Sequence, residues 1–309
     1  MGSSGLTDKV DNIKKLEDNN AAAVVLKSLF EEQINAEISK ASFTQGNAYP
    51  EAYEYIEEYT KNKVITDYLK LIENSKKSVD IPVIASINCV TNSEWIDFAK
   101  NIQEAGADAL ELNIAILPSD PFEKACDNEE MYFNITEKVR EILSIPISLK
   151  MSYYSAGLAQ LIYRLSASRN VDGITLFNRF YHPDIDINTL ELTSSNVFSK
   201  PDEYTLPLRW IALLSDKVDA DLAATTGIHD GSSMAKQVLA GASAVQIVSS
   251  IYKHGAGYIN TILKEFEDVA KKHNFATINE MKGKLSFHKD KDNKTFERIQ
   301  FMKYFGGIT

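Results

Sequence analysis

The chain has 309 residues, 44% hydrophobic and 25% charged, the balance of an ordinary globular protein. A formal net charge of −10, a pI near 5.1 and the lack of any long Lys/Arg run argue against nucleic acid or an anionic membrane surface as the main partner. Two cysteines, Cys89 and Cys126, build no disulfide framework or metal-ligand spacing, and no apolar run approaches a membrane span; a cytoplasmic protein without a metal site is expected.

The predicted elements alternate. Val10, Ile13 and Leu16 recur at helical spacing within Asp8–Asn19, with Thr7 or Asp8 as the cap. Ala21–Lys27 is the first clear strand. Residues 28–60 are less regular, and Lys63–Val79 is a helix. Ile81–Asn88 reads as a strand, Ser93–Glu104 as a helix capped by Asn92 or Ser93, and Ala107–Asn113 as a strand. A loop of a length that usually carries function leads to a helix over Glu129–Leu143. Pro146–Lys150 is an apolar strand ending in a lysine, which is costly to bury unless something anionic or electron-rich meets it. A helix at Gly157–Ser168, a strand at Gly173–Asn178, and an irregular insertion at about 179–204 follow. The pattern then resumes with a helix at Leu206–Asp216, a strand at Ala220–Thr226, a helix at Ser232–Ala240, a strand at Ser243–Ser249 and a helix at Tyr258–His273. The tail 279–309 is polar and closes on Phe301, Tyr304 and Phe305.

A weak internal repeat supports this alternation. Glu104-Ala-Gly-Ala-Asp-Ala, Arg169-Asn-Val-Asp-Gly-Ile and Leu239-Ala-Gly-Ala-Ser-Ala each join a helix to a strand, with Gly or Asn placed to take the left-handed helix-ending conformation. The pattern predicts one α/β domain over 1–309, a parallel sheet with helices outside. Seven strands are visible where a closed (β/α)8 TIM barrel needs eight; an open doubly wound sheet is the alternative, but no Gly-x-Gly-x-x-Gly follows any strand.

The strand ends carry the chemistry. Their C-terminal residues are Lys27, Asn88, Asn113, Lys150, Asn178, Thr225 to Gly227, and Ser249 with Ser250. In a barrel these face one mouth, where active sites form. Thr225-Thr226-Gly227 and Ser249-Ser250 fall where backbone N–H groups cradle phosphate. Two lysines, several amides and a phosphate cradle suit FMN, with a lysine near the ring's N1–C2=O edge to stabilise reduced flavin.

These residues resemble the soluble, class 1 dihydroorotate dehydrogenase family. The matching pieces are Ser3-Ser-Gly-Leu-Thr, Val25-Leu-Lys-Ser28, Glu111-Leu-Asn113, Ser148-Leu-Lys150, Leu176-Phe-Asn178, Thr226-Gly-Ile228 and Gly241-Ala-Ser-Ala-Val-Gln246. The resemblance implies a (β/α)8 barrel, FMN at its mouth, a homodimer, a small-molecule substrate and oxidation of dihydroorotate to orotate. It implies flavin contacts at Ser3, Ser4 and Gly5 after the first strand, at Lys27 and Ser28 after the second, and at Asn113 and Lys150, with Asn178 as a substrate or flavin amide. Gly227, Ser249 and Ser250 fall at the family's phosphate loops. Because the match starts at the end of the family's first strand, a barrel with its first strand truncated is expected. Part of the family works with an iron–sulfur subunit; without a cluster-binding cysteine set, any electron-transfer partner of this chain would be separate.

Three departures stand out. Ile116 occupies the position of the family's catalytic Cys or Ser and cannot take a proton. The family's Asn-rich substrate loop has no clear match in residues 36–60, and Thr226 and Val248 replace usual phosphate-loop glycines. Substitute bases would come from Ser119, Asp120, Cys126, Tyr153, Tyr154 or His182, each also readable as a plain loop residue; Cys126 lies among Glu123, Asp127 and Glu129, which disfavours a thiolate. His229 could meet a phosphate or simply begin a helix. The competing functions are a non-catalytic flavin- or phosphate-binding barrel and a flavin-free enzyme acting on a sugar phosphate.

Overall fold

The computed structural model describes residues 1–30, 50–88, 94–194 and 196–287, of which 50–57 and 94–97 are described as backbone only. Cys89, the predicted caps Asn92 and Ser93, and the tail aromatics Phe301, Tyr304 and Phe305 lie outside them. The chain forms two compact units, Met1–Met151 with Asn170–Asp172, and Ser152–Arg169 with Gly173–Thr309.

In the first unit, strands β1 (Val24–Val25), β3 (Val83–Asn88), β4 (Ala109–Ile114) and β5 (Ile147–Met151) pair in that order, all parallel. A further strand, β2 (Leu29–Phe30), was not predicted and also pairs with β3. The predicted strand Ala21–Lys27 shrinks to two residues of ladder. Its flank is held by Met1, whose backbone nitrogen donates to Ala23 O (2.7 Å) and whose carbonyl accepts from Val25 N–H (2.9 Å). Helices α1 (Val10–Glu17), α2 (Pro50–Lys76), α3 (Glu94–Glu104) and α4 (Ala125–Arg140) complete the unit. Neither Thr7 nor Asp8 caps α1; its N-cap is Lys9, which makes no side-chain cap bond. Ser4 caps an earlier 3-10 turn, Gly5–Thr7, and draws the Thr7 hydroxyl into that turn. Ile87, Leu110, Leu112, Ile147 and Leu149 are fully buried, each worth about 1.5–3 kcal/mol relative to exposure.

In the second unit β6 (Gly173–Leu176), β9 (Asp221–Thr225) and β10 (Ala244–Gln246) are parallel, with β9 paired to both neighbours. Helices α5 (Leu158–Ser168), α6 (Thr205–Leu214), α7 (Gly231–Ala240), α8 (Ser249–His254), α9 (Tyr258–Lys272) and α10 (Ile278–Met281) belong to it. The insertion contains an antiparallel hairpin, β7 (Pro183–Asp186) with β8 (Glu191–Ser194). Ser249, predicted to close a strand, opens α8 instead. Among the described residues no helix is long and apolar enough to cross a membrane.

The repeat has a physical role. The N–H groups of Asp108, Asp172 and Ser243 each bond back to the preceding strand, at Val83 O, Ile147 O and Leu222 O. Asp108 also accepts from Val83 N–H (2.7 Å) while paired with Lys76, and Asp172 accepts from Ile147 N–H (2.8 Å) while paired with Arg140. Each aspartate therefore fixes where the neighbouring strand begins. Gly106 and Gly241 have positive φ as predicted, but in the second copy Arg169, not Asn170, adopts the left-handed conformation (φ 60°).

Candidate active site

Side chains alternate across a strand, so Ser86 and Asn88 on β3, Glu111 and Asn113 on β4, and Ser148 and Lys150 on β5 share one face. Register confirms the rows: Ser86 stands opposite Glu111, Glu111 opposite Ser148, and Asn113 opposite Lys150. The opposite face is aliphatic. One side of this sheet is therefore a polar ladder that ends in two amides and an ammonium.

Glu111 is the residue the strand-end reading missed. Its side chain is only 1% exposed and lies 3.9 Å from Lys150 Nζ, itself 12% exposed. Charges at that burial need compensation, and each of these supplies it to the other. The signal was present in the sequence, since Glu111 precedes Asn113 by two and so shares its face. Asn88 Oδ1 is buried with no hydrogen-bond partner among the described residues. Leaving such an acceptor unmet costs about 1–3 kcal/mol, so it is suited to a ligand N–H.

The N-terminal serines have partners inside the chain. Ser3 Oγ lies 3.0 Å from Ser28 Oγ and accepts from Ser28 N–H (2.8 Å); Ser28 Oγ lies 2.7 Å from Ser86 Oγ. Tyr68 extends this chain, donating to Ser86 O (2.9 Å) and accepting from Ser86 N–H (2.8 Å). Burial pushes its phenol far above the ordinary value, against the pull of the Ser86 bond. Ser4 Oγ accepts from Leu6 N–H, and Gly5 begins the turn. Lys27 stands between β1 and β2, half-buried. Ile116 is buried just beyond β4, whereas Ser119, Asp120 and Cys126 are exposed on the following loop and helix start.

The second unit holds the rest. Thr225 ends β9 and is buried, and Thr226 has φ +79°, a left-handed conformation rare for a β-branched residue. Gly227 (φ +73°) packs so tightly on the turn at Glu203–Tyr204 that a Cβ there would lie 2.1 Å from Tyr204 N; its freedom serves that approach. Ser249 Oγ accepts from Ser199 N–H (3.0 Å), and Ser250 Oγ donates to Ile228 O (3.5 Å). His229 is buried with Nε2 3.0 Å from Ser199 Oγ. Burial lowers its pKa, and Lys253 lowers it further, against Asp230 and Glu203.

Asn178, Tyr153 and His182 line a cavity of about 160 Å³ inside this unit, together with Arg179 and Glu203. Tyr153 Oη lies 3.2 Å from Tyr154 Oη, and burial followed by that bond pushes the Tyr153 phenol up to about 12. Nothing in the sequence pairs Arg179 with Glu203, which lies in the stretch read as irregular.

A model of the dihydroorotate dehydrogenase family matches residues 53–270, more than half of the chain. The chain belongs to the dihydroorotate dehydrogenase family. It is 24% identical over 270 residues to the catalytic subunit of dihydroorotate dehydrogenase B (NAD(+)) of Thermoplasma acidophilum, covering 86% of this chain and 87% of that protein. The like-named subunit of Pyrococcus furiosus is 28% identical over 219 residues, 69% of this chain and 72% of the relative. Dihydropyrimidine dehydrogenase (NADP(+)), chloroplastic, of Arabidopsis thaliana is 25% identical over 246 residues, 73% of this chain and 58% of the relative. The family assigns the chain its α/β, (β/α)8 barrel-like fold class and makes it a flavin-dependent, dihydroorotate dehydrogenase-like oxidoreductase.

Proposed function

We propose that the chain binds FMN and exchanges hydride with a C–C bond of a small cyclic substrate related to dihydroorotate. The observation that carries this is the polar ladder of the first unit, where Lys150 is compensated by buried Glu111 and Asn88 Oδ1 awaits a donor. An acceptor for a ring N–H beside amides and an ammonium fits the pyrimidine edge of a flavin. When bound, the flavin supplies hydride transfer at N5. Lys27, Asn88, Asn113 and Lys150 hold and polarise the ring. Ser3, Ser4, Gly5 and Ser28 shape the loop beside it through their own bonds. Within the second unit by itself, Thr225, Thr226, Gly227, Ser249 and Ser250 are the candidates for a phosphate group's contacts, and Asn178 for an amide contact to substrate or flavin.

Ile116 is a hydrocarbon at the place of the family's base, so the proton step differs from that of the family. Electrons leave through a separate electron-transfer subunit, in keeping with relatives named as catalytic subunits of NAD(+) enzymes. The working form is a cytoplasmic homodimer, checked by light scattering on the purified chain.

The test is an anaerobic visible spectrum before and after addition of dihydroorotate. Flavin bands are expected. Their bleaching would identify dihydroorotate as the reductant, and their persistence would point to a different ring. A colourless protein that takes up no added FMN refutes the proposal.

A further inference from the structure

Segment 196–204 of the second unit lies against both turns that carry candidate phosphate contacts. Ser199 N–H donates to Ser249 Oγ (3.0 Å) at the start of α8. Ser199 Oγ lies 3.0 Å from Nε2 of His229, in the loop that holds Gly227. The 3-10 turn Pro201–Tyr204 presses on Gly227, where a Cβ would lie 2.6 Å from Glu203 C and 2.1 Å from Tyr204 N. Gln237 Nε2 donates to Tyr204 O (2.9 Å) and holds that turn against α7.

The loop after β9 needs such support. Thr226 and Gly227 follow each other at φ +79° and +73°. A β-branched residue stays in that region only where its surroundings over-determine it. Thr226 Oγ1 donating to Phe177 O (3.4 Å) is one constraint, and the packing of Glu203 and Tyr204 on Gly227 is a second.

Segment 196–204 is in turn fastened by one side chain just beyond β6. Arg179 has five N–H donors. Nε donates to Glu203 Oε2 (2.7 Å) and Nη2 to Glu203 Oε1 (3.2 Å). Nη1 donates to Asn196 O (3.0 Å) and Val197 O (3.2 Å), and Nη2 also donates to Phe198 O (3.3 Å). A planar fork spans the carboxylate and the carbonyls at once, which the point charge of a lysine cannot. Glu203 Oε1 also accepts from Lys200 N–H (2.8 Å), which closes the turn that meets Gly227. Side chains only 16% and 29% exposed set this pair apart from an exposed surface ion pair.

Resting on the FMN reading above, we propose that segment 196–204 braces the turns that take a phosphate, and that Arg179 is a positioning residue acting through this brace. All five of its donors are committed inside the chain, so none is left to touch the anion. Arg179 therefore governs the phosphate's part of the cofactor affinity and not the ring's.

The probes are FMN and riboflavin, which differ only in the phosphate, titrated calorimetrically at pH 7 into the parent and into Arg179→Met. The variant is expected to weaken FMN by about tenfold and to leave riboflavin within about twofold. Both flavins weakened by the same factor, as a merely structural clamp would give, overturns the proposal, and so does an unchanged FMN affinity. Arg179→Lys keeps a charge beside Glu203 without the fork and is expected to stay about tenfold weak for FMN; full recovery would show that charge alone suffices and overturn the fastening. Should the variants not fold, hydrogen exchange on the parent decides. Coupling is reciprocal, so saturating FMN should protect the amides of 196–204 at least about tenfold more than saturating riboflavin. A parent that takes up neither flavin overturns the cofactor reading and this proposal with it. A parent that binds FMN while exchange in 196–204 is the same with either flavin overturns the brace alone.

Discussion

Replacing Lys150 by Met tests the strand-end ladder most directly. The ammonium stands 3.9 Å from a carboxylate that is 1% exposed. At an effective dielectric constant near 20, two unit charges at that distance attract by about 4 kcal/mol. Removing one partner takes away the charge that faces the other, and breaking a buried pair costs about 3–5 kcal/mol. That is a large share of the roughly 5–15 kcal/mol that holds a typical domain together. Met preserves most of the stem's apolar contact, so the loss reports charge rather than volume. Urea unfolding at pH 7 of the parent, Lys150→Met, Glu111→Gln and the double variant closes a double-mutant cycle. The single lysine change is expected to cost about 3–5 kcal/mol, and the double variant to recover most of it because no charge is left uncompensated. A loss below about 1 kcal/mol, or a double variant as unstable as Lys150→Met, would refute the claim that Glu111 and Lys150 sustain each other.

Thr226→Gly relieves a left-handed β-branched residue, a strain of about 1–3 kcal/mol against an entropic cost of about 0.5–1 kcal/mol, so the urea midpoint should rise. A fall would show that the Thr226 bond to Phe177 O outweighs the strain. Ser166→Ala removes the acceptor shared by Asp219 N–H and Ala220 N–H, both at 2.9 Å, and should cost about 2–4 kcal/mol by the same assay. His229 has a folded pKa depressed below its unfolded value of about 6.5. The unfolded chain thus takes the proton first, and stability is complete above that value and falls as pH drops below it. His229→Asn should flatten this part of the pH–stability curve between pH 7 and 5; an unchanged slope would place the titration elsewhere.

Much of the fold could be read from sequence because periodicity reports burial. The runs ending at Asn88, Asn113 and Lys150 became strands within two residues of their predicted limits, since buried parallel strands read as short, largely apolar runs. Short elements escaped. Leu29–Phe30 has too few residues to show a period, and Ala21–Lys27 kept only the two residues that find a ladder partner. Caps were misplaced where two candidates compete: Ser4 engages Thr7 in the turn before α1, which leaves Lys9 at the helix start. Of the site, polar strand ends are visible in a sequence, and so is Glu111 once period two is applied. The Arg179–Glu203 clamp is not visible, because 24 residues of chain separate its partners and only folding brings them together. The same holds for the serine relay, in which Ser28 and Ser86 lie 58 residues apart.

The paired phenols of the second unit have a consequence for proton transfer. The cavity of the second unit offers a phenol held protonated by burial, with a second phenol 3.2 Å away to relay a proton. A group with so high a pKa is a poor base near neutrality, but it can donate to a strongly basic carbon centre. Such an arrangement suits adding a proton to a ring more than removing one. A ring that receives hydride and proton need carry no carboxylate, only a carbonyl to spread the developing charge onto donors. The five N–H groups of Arg179 are all committed to Glu203 and to the carbonyls of Asn196, Val197 and Phe198, so within this unit the paired phenols are the better placed proton donors.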